Sequence, residues 1–332
     1  MGCDAGRPNE HPEVVRDAVR WVTRDLAAAG IDEAGGDARR LVAAATGCDG
    51  AGLIRDAHRV LTADEAARLS EFVARRVRRE PVSRILGERE FYGRTFQVTP
   101  DVLDPRADTE TLIEVALEIG AAEGWRERGL RILDIGVGSG VLLVTLLAEW
   151  PMASGFGIDV SAGAVACARA NAERVLGAAN DAQAESGKSS DDPPKWQFEI
   201  QDASAVDMSG FDLVISNPPY IESAAIAGLE PEVRLYDPAL ALDGGADGLA
   251  VYQVVLEGVA RAQGRKGNEA GRPLWVVLEA GARQADQIVE IARKMRVSRG
   301  TETVIVRRDL GGNERCVAFG THLVAAAENS LD

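Results

Sequence analysis

Residues 131–150 read RILDIGVGSGVLLVTLLAEW, and this stretch decides the fold class. An apolar run with strand character, 131–135, meets a glycine-rich turn, and an apolar run with helical character follows at once. A buried strand that turns through glycines into a helix is the first half of a strand–helix–strand unit, from which parallel sheets are built. We therefore expect an α/β domain around these residues.

The rest of the C-terminal two thirds repeats this alternation of strands and helices. Further strand candidates are 155–159, 196–200, 211–217, 274–280, 303–308 and 316–320. Strands that alternate with helices favour a parallel sheet covered on both faces. The sequence predicts a doubly wound, seven-stranded, mostly parallel sheet of the Rossmann-like kind.

The N-terminal quarter is different, because its apolar residues recur at helical spacing from Val14 to about Arg79. Thr62 and Glu65 form a capping-box pattern at the start of the last helix there. Residues 89–100, REFYGRTFQVTP, alternate around a central glycine and predict a β-hairpin. The predicted divisions are a helical bundle at 1–86, a hairpin linker at 87–107, the α/β domain at 108–322 and a tail at 323–332.

One polar stretch interrupts the α/β pattern. Residues 176–195, LGAANDAQAESGKSSDDPPK, contain few large apolar side chains. Such a segment cannot bury enough apolar surface to offset the entropy of ordering, so we expect a disordered surface insertion.

Composition excludes several classes of protein. The 332 residues carry a formal net charge of −15, which disfavours a protein that binds mainly by neutralising phosphates. The four cysteines include no CxxC pair, so we expect neither a disulfide framework nor a metal site. No apolar run approaches 18 residues and the N-terminus lacks an apolar signal core, which favours a cytoplasmic protein without a membrane partner.

The glycine-rich turn is the first candidate ligand site. Glycines let the backbone approach a ligand closely, and a helix N-terminus offers free N–H donors. Its G-x-G-x-G spacing differs from the G-x-G-x-x-G of dinucleotide-binding loops. The candidate residues are Asp134, Gly136, Val137, Gly138, Ser139 and Gly140.

Asp159 ends the second predicted strand, where a carboxylate can accept hydrogen bonds from both hydroxyls of a ribose. The alternative is that Asp159 only caps the next helix, ahead of Ser161. NAD and S-adenosylmethionine both contain adenosine, and the glycine spacing favours S-adenosylmethionine.

The fourth strand stops on Asn217 in FDLVISNPPY (211–220). In a doubly wound sheet, ligands bind at the carboxyl ends of the strands beside the switch point, here the first and fourth strands. Pro218 and Pro219 hold the chain extended, so the Asn217 oxygen and the Pro218 carbonyl can accept the two N–H groups of a planar amine. Tyr220 can lie against the flat face of that group. This pattern predicts N-methylation, which needs no strong base, and none of the three histidines, His11, His58 and His322, lies in these motifs.

DIGVGSG (134–140), GIDVS (157–161) and SNPPYI (216–221) together resemble the class I S-adenosylmethionine-dependent methyltransferases that methylate nitrogen. The flanks, RREPVSRILGEREFYGRTFQVTPDVLDPRADTETLIEVAL (78–117) and FDLVISNPPYIESAAIAGLEPEVRLYDPALALDGGADGLAVY (211–252), are similar to the release factor glutamine methyltransferases. The resemblance covers residues 14 to 321.

The resemblance implies a helical domain that helps to dock a class I release factor, and a domain that methylates the glutamine of its Gly-Gly-Gln loop. It implies that Gly136–Gly140, Asp159 and Asn217 contact the cofactor, and that Asp202 and Ala203 lie near the adenine. Asn217, Pro218, Pro219 and Tyr220 would bind the substrate amide, with Asn217, Pro218 and Tyr220 as the catalytic set.

The chain departs from the family pattern in three places. The usual I-P-R-P-x-T-E loop is LDPRADTE here, with Asp104 and Ala107 at the altered positions, so we expect a looser loop. Ala203 stands where an aromatic residue is frequent, and the 176–195 insertion has no counterpart in the pattern.

Two other functions stay open from the residues. An N6-adenine nucleic-acid methyltransferase would also use N-P-P-Y, and its basic groove could draw only on Arg75, Arg76, Arg78 and Arg79. A non-catalytic adenosine-binding module would keep the fold for docking, although it would not need the intact Asn217 and prolines.

Overall fold

The structure is a computed structural model that describes residues 12–177, 195–264, 274–297 and 304–320. These residues form two compact units. The first comprises residues up to Gly87 together with Glu230–Tyr236, and the second comprises the remaining described residues.

The second unit contains a seven-stranded sheet. Its strands are β3 Arg131–Ile135, β4 Ser154–Asp159, β5 Trp196–Ile200, β6 Leu213–Ser216, β7 Trp275–Glu279, β8 Val304–Arg308 and β9 Glu314–Gly320. They lie in the order β5-β4-β3-β6-β7-β9-β8. Strands β3 to β7 pair in parallel, and β9 runs antiparallel to both β7 and β8. The predicted seven-stranded, mostly parallel sheet is confirmed, with strand bounds within two residues of those expected.

The chain order reverses between the neighbouring strands β3 and β6, which makes this pair the switch point of the sheet. Asp134 pairs with Ile215, and the Ser216 hydroxyl donates to the Ile135 carbonyl at 2.6 Å. The glycine turn after β3 and the N-P-P-Y stretch after β6 therefore start side by side, as the order of strands in the sequence predicted.

Helices cover both faces of this sheet. Ile132 of β3 packs in one core and Leu133 in the other, because alternate side chains of a strand point to opposite faces. The helices are α6 Glu110–Ala122, α7 Val141–Glu149 and α8 Ala162–Leu176 on the first face, and α10 Ala250–Gly264 and α11 Ala285–Lys294 on the second.

The predicted hairpin forms, with strands β1 Glu88–Phe91 and β2 Arg94–Gln97. Tyr92 and Gly93 both have positive φ, +48° and +70°, which is the two-residue turn that suits the twist of a hairpin. Phe91 and Phe96 are buried in the core of α6 to α8. The hairpin is therefore part of the second unit, which differs from the linker that the sequence predicted.

The first unit contains helices α1 Val15–Ala28, α2 Ala34–Thr46, α3 Gly50–Arg55, α4 Ala63–Val77 and α5 Val82–Leu86. The capping box of α4 is present, since the Glu65 N–H donates to the Thr62 hydroxyl and the Thr62 N–H donates to the Glu65 carboxylate. A sixth helix, α9 Pro231–Tyr236, also belongs to this unit, although the sequence placed residues 230–236 in the α/β domain.

Ion pairs within the first unit explain why α9 belongs there. Arg76 is buried, and its guanidinium lies 2.7 Å from the Asp37 carboxylate and 3.0 Å from that of Glu232. Arg79 adds a contact of 2.7 Å to Glu232. A buried charge is tolerated only when it is paired, so these contacts hold α9 against α2 and α4.

Several predicted features lie outside the described residues, namely most of the 176–195 insertion and the 323–332 tail. Within the described ranges, no helix combines the length and apolarity that are needed to cross a bilayer.

Candidate functional site

A cleft of about 740 Å³ opens at the carboxyl ends of β3, β4 and β6 in the second unit. Its wall brings together residues from every predicted motif: Gly136, Val137, Gly138, Ser139, Asp159, Asp202, Ala203, Asn217, Pro218 and Pro219. Asp134, Gly140 and Tyr220 do not belong to this lining among the described residues.

The glycine loop owes its shape to left-handed backbone. Gly136, Gly138 and Gly140 have φ of +72°, +53° and +82°, which residues with a Cβ rarely adopt. A Cβ on Gly136 would meet open space, whereas one on Gly140 would lie 3.2 Å from Ala168 of α8. The first glycine therefore keeps backbone exposed to the cleft. The last one permits close packing on α8, and its contact with a ligand stays a prediction.

A buried asparagine that the sequence did not single out supports this loop. Asn171 of α8 donates to the Ser139 carbonyl at 2.8 Å, and its oxygen accepts the Gln97 N–H at 2.7 Å. The side chain thus ties the loop to β2. Nothing in the spacing of α8 distinguishes this residue from an ordinary polar position.

Asp134 lies beneath the loop and not in the cleft. Its side chain is 1% exposed and accepts the Leu143 N–H at 3.3 Å. Burial raises the pKa of Asp134 to about 7, and the Leu143 N–H opposes that rise. Its position supports the turn between β3 and α7.

Asp159, at the end of β4, accepts hydrogen bonds from two backbone N–H groups. One carboxylate oxygen accepts the Gly138 N–H at 3.0 Å and the other accepts the Ser161 N–H at 2.9 Å. Ser161 itself caps α8 by accepting the Ala164 N–H. Each carboxylate oxygen retains a lone pair, so Asp159 can still accept a hydroxyl from the cleft. The capping alternative is thus part of its role and leaves the ligand contact possible.

Asp202 and Ala203 follow β5 at the rim of the cleft. Asp202 is exposed, and its carboxylate accepts the Ser204 N–H at 2.8 Å and the Ser204 hydroxyl, which lower its pKa. The small Ala203 side chain lines the cleft beside Asp202.

Asn217 is held from behind by a buried hydrogen-bond chain. Its amide nitrogen donates to the Thr109 hydroxyl at 3.3 Å, and that hydroxyl donates to the Glu279 carboxylate at 2.7 Å. The Tyr220 hydroxyl donates to the other Glu279 oxygen at 3.2 Å. Tyr220 therefore directs its hydroxyl to Glu279, and the expected contact of its ring face with a substrate stays a prediction.

Glu279 ends β7 and is 2% exposed. Burial raises the pKa of Glu279 to about 7, although the hydrogen bond from Thr109 and the charge of Arg315 lower it. Thr109 and Glu279 were not among the site residues predicted from the sequence. A carboxylate at the end of an otherwise apolar strand next to β6 was the available signal for Glu279.

The backbone after Asn217 is braced by a glycine-rich loop. The Ile221 N–H donates to the Leu242 carbonyl and the Gly244 N–H donates to the Ile221 carbonyl. Gln284 donates to the Tyr220 carbonyl at 3.1 Å. A Cβ on Gly244 would lie 2.8 Å from the Pro219 oxygen, so only glycine permits this close approach.

The altered LDPRADTE loop borders the cleft and is held by ion pairs and a hydrogen bond. The Arg106 guanidinium lies 2.7 Å from the buried Asp237 carboxylate, whose other oxygen accepts the Asp104 N–H at 3.1 Å. Asp104 is itself buried, with Arg89 and Arg106 each 3.8 Å from its carboxylate. These contacts run against the looser loop that the sequence suggested.

Parts of both units are similar to known protein families. Residues 17–87 match the family model described as PrmC N-terminal domain, and residues 124–229 match the one described as Methyltransferase small domain. The release factor glutamine methyltransferase of Cereibacter sphaeroides is 42% identical over 302 residues, which cover 91% of this chain and 96% of the relative. That of Rhodospirillum rubrum is 42% identical over 293 residues, covering 88% and 80%.

Among solved structures, the hMettl16 catalytic domain in complex with MAT2A 3′UTR hairpin 6 is similar, with a TM-score of 0.50. The two share 15% sequence identity over 80% of this chain and 86% of the other. At this identity the similarity supports the fold alone.

Proposed function

The chain belongs to the release factor glutamine methyltransferase family, and on that premise we propose that it methylates the side-chain amide nitrogen of a glutamine in a peptide chain release factor. The methyl donor is S-adenosylmethionine. We propose further that the target is the glutamine of the Gly-Gly-Gln motif of class I factors, that no nucleic acid is bound directly, and that the enzyme acts in the cytoplasm.

One observation carries this proposal. Asn217 and the two prolines line the same cleft as the glycine loop, because β3 and β6 are neighbours at the switch point. The side chain that can position an amide is thereby placed beside the loop that can hold a methyl donor. Such positioning is the main contribution a protein makes to a methyl transfer.

The residues present fit S-adenosylmethionine. The cleft exposes backbone at Gly136 and Gly138, and Asp159 offers carboxylate lone pairs suited to ribose hydroxyls. Apolar side chains of Ile158 and Val160 and the small Ala203 can pack on an adenine ring. When bound, the cofactor supplies an electrophilic methyl group on a sulfonium. These residues would bind its adenosine moiety.

The protein's task is to orient the target amide. An amide nitrogen is a poor nucleophile because its lone pair is delocalised, so its approach to the methyl group must be fixed. The Asn217 oxygen and the Pro218 carbonyl can each accept one N–H of the glutamine side chain. The amide proton leaves after the methyl group is transferred, so no strong base is required, and no histidine lines the cleft within the described ranges.

The structure favours neither rival function. A nucleic-acid methyltransferase would need free basic side chains, but Arg75, Arg76 and Arg79 of the predicted cluster are paired with Glu80, Asp37, Glu230 and Glu232. An adenosine-binding docking module would not need the braced Asn217.

The test is transfer of tritiated methyl from S-adenosylmethionine to a purified class I release factor, the same factor with the Gly-Gly-Gln glutamine replaced by alanine, and duplex DNA. We expect label only on the intact factor, with mass spectrometry locating one methyl group on that glutamine. Label on DNA, or equal labelling of both forms of the factor, would contradict the proposal.

A further inference from the structure

The Asn217 side-chain amide can adopt two orientations, and the buried hydrogen-bond chain behind it favours one of them. Its oxygen and its NH2 group have nearly the same shape, but only the oxygen accepts a hydrogen bond. If the NH2 group faced the cleft, hydrogen-bond donors would face the N–H donors of a substrate amide, and no hydrogen bond could form. Positioning therefore requires that one end of Asn217 is directed away from the cleft.

We propose that Thr109 and Glu279 are positioning residues for methyl transfer, which act by fixing the Asn217 amide with its oxygen towards the cleft. This inference rests on the proposed function. Neither residue is assigned a part in catalysis by the family resemblance above.

The direction of the hydrogen bonds follows from proton counting. An ionised carboxylate only accepts, so Thr109 and Tyr220 must both donate to Glu279, over 2.7 and 3.2 Å. A hydroxyl has a single proton, which Thr109 uses on Glu279. Towards Asn217 it can then only accept, and this demands the amide nitrogen at the observed 3.3 Å. The oxygen is left for the cleft, whose wall includes both Thr109 and Asn217.

The surroundings of Glu279 decide whether it is ionised. Arg315 favours the carboxylate, whereas Asp108 and burial disfavour it, and burial raises the pKa of Glu279 to about 7. The titratable and charged groups that face it are Asp108, Tyr220, Tyr252, Arg315 and Cys316. Protonation would convert one Glu279 oxygen into a donor and let the Thr109 hydroxyl reverse, so we expect methyl transfer to slow as the pH falls below about 7.

The experiment compares Thr109→Val, which keeps the shape but removes the hydroxyl, with Thr109→Ser, which keeps the hydroxyl. Tyr252→Phe is the matched control, because it removes a buried hydroxyl that donates to the Glu279 backbone carbonyl at 2.8 Å and leaves the carboxylate untouched. Single-turnover methyl transfer to a class I release factor is measured at pH 8, with S-adenosylmethionine affinity and Tm for each variant.

We expect Thr109→Val to lower the rate about tenfold or more, because the orientation of a positioning group is lost. Thr109→Ser should recover most of the rate, and Tyr252→Phe should stay within about twofold of the parent. Cofactor affinity should be the same in all of them. A Thr109→Val rate within twofold of the parent, or a Thr109→Ser variant as slow as Thr109→Val, would overturn the inference.

The pH profile tests Glu279 separately. The parent rate should fall below about pH 7, and this fall should be absent in Glu279→Gln, which cannot ionise. An unchanged profile in Glu279→Gln would remove Glu279 from the proposal. If the parent itself transfers no methyl group to a release factor, the proposed function fails, whereas an active parent with an insensitive Thr109→Val refutes only the positioning role.

Discussion

At the scale of single residues, Asn217 is constrained both by its backbone and by a hydrogen bond. It follows β6 directly, precedes two prolines that lack N–H donors, and is half-buried, with its amide nitrogen donating to the Thr109 hydroxyl. These constraints leave its oxygen in one place. Asp159 is constrained differently, since its two oxygens already order the Gly138 and Ser161 amides.

We predict that Asn217→Ala lowers the methyl-transfer rate by about two orders of magnitude or more, because a positioning hydrogen bond in a water-poor site is lost. Asn217→Asp should be comparably slow, since it adds a buried negative charge and removes the donor to Thr109. Single-turnover kinetics with a release factor measure the rate, and calorimetry should show nearly unchanged cofactor affinity. If Asn217→Ala transferred methyl groups at the parent rate, the N-P-P-Y stretch would be only a rigid turn without a role in positioning the substrate.

A second prediction at this scale concerns cofactor affinity. Asp159→Ala should weaken S-adenosylmethionine binding by about 1.5–3 kcal/mol, the range for hydrogen bonds to a charged group. The loss includes support for the Gly138 N–H as well as the ribose contact. Isothermal titration calorimetry gives the affinity, with Asn217→Ala as the comparison variant. Unchanged affinity in Asp159→Ala would exclude the carboxylate from the cofactor site.

At the scale of elements, the loop between residues 243 and 249 acts as a brace for the chain after β6. Its glycines approach the Pro219 and Tyr220 backbone more closely than any residue with a Cβ allows. Gln284, just before α11, donates to the Tyr220 carbonyl from another side. The substrate-facing turn is thus fixed by backbone packing in addition to its prolines.

Gly248→Ala tests this brace. Gly248 has φ +71°, and a Cβ there would collide with the Tyr220 carbonyl oxygen and lie 2.6 Å from the Gln284 amide nitrogen. The matched control is Gly312→Ala, which carries the same left-handed strain at φ +83° but meets open space. Both should lose about 1 kcal/mol of stability to backbone strain, and Gly248→Ala should lose more because of the collision. Only Gly248→Ala should also slow methyl transfer, by about tenfold; equal rates in the two variants would show that the turn does not depend on the brace.

At the scale of the whole molecule, buried charged groups occur in two kinds of surroundings. In the first unit, Arg76 pairs with Asp37 and Glu232. In the second, Asp134 and Glu279 are buried carboxylates whose pKa values are raised to about 7. The first arrangement makes stability depend on pairing, and the second makes it depend on pH.

We predict that Arg76→Ala lowers the free energy of unfolding by about 3 kcal/mol, the low end of the range for breaking a buried ion pair, because Asp37 keeps only Arg40 and Glu232 keeps only Arg79 as a partner. Arg20→Ala, which removes an exposed arginine 3.5 Å from Asp17, is the control and should cost less than about 0.5 kcal/mol. Chemical denaturation followed by circular dichroism measures both. Similar losses in the two variants would mean that the buried pairs contribute no more than surface ones.

The pH prediction concerns Asp134. Its pKa rises from an ordinary 3.8 to about 7 in the folded state, so between these values the folded protein retains a proton that the unfolded chain releases. The free energy of unfolding therefore falls as the pH rises through this window. Asp134→Asn cannot ionise and keeps an acceptor for the Leu143 N–H. Its Tm relative to the parent should increase between pH 5 and pH 8, by about 2–4 °C for each kcal/mol recovered, and parallel Tm profiles would contradict the assignment.

The features that depend on local pattern could be predicted from the sequence. Strand periodicity and the chain order of β3 to β9 predicted the seven-stranded sheet, because alternating strands and helices have few ways to pack. The glycine loop, Asp159 and Asn217 could be placed in one cleft because the carboxyl ends of parallel strands meet at one edge. The capping box of α4 was likewise predictable, since both of its partners lie three residues apart.

The contacts between residues far apart in the chain could not be predicted from local pattern and are known from the folded chain. The Asn217–Thr109–Glu279 chain joins the loop before α6 to the ends of β6 and β7, and the pairing of Arg76 with Glu232 draws α9 into the first unit. The hydrogen bond from Tyr220 to Glu279 and the close approach of Gly140 to α8 also join residues that are far apart in the chain. A side chain's local pattern limits its backbone, but its partners are set by which distant groups need a hydrogen bond or a charge once they are buried.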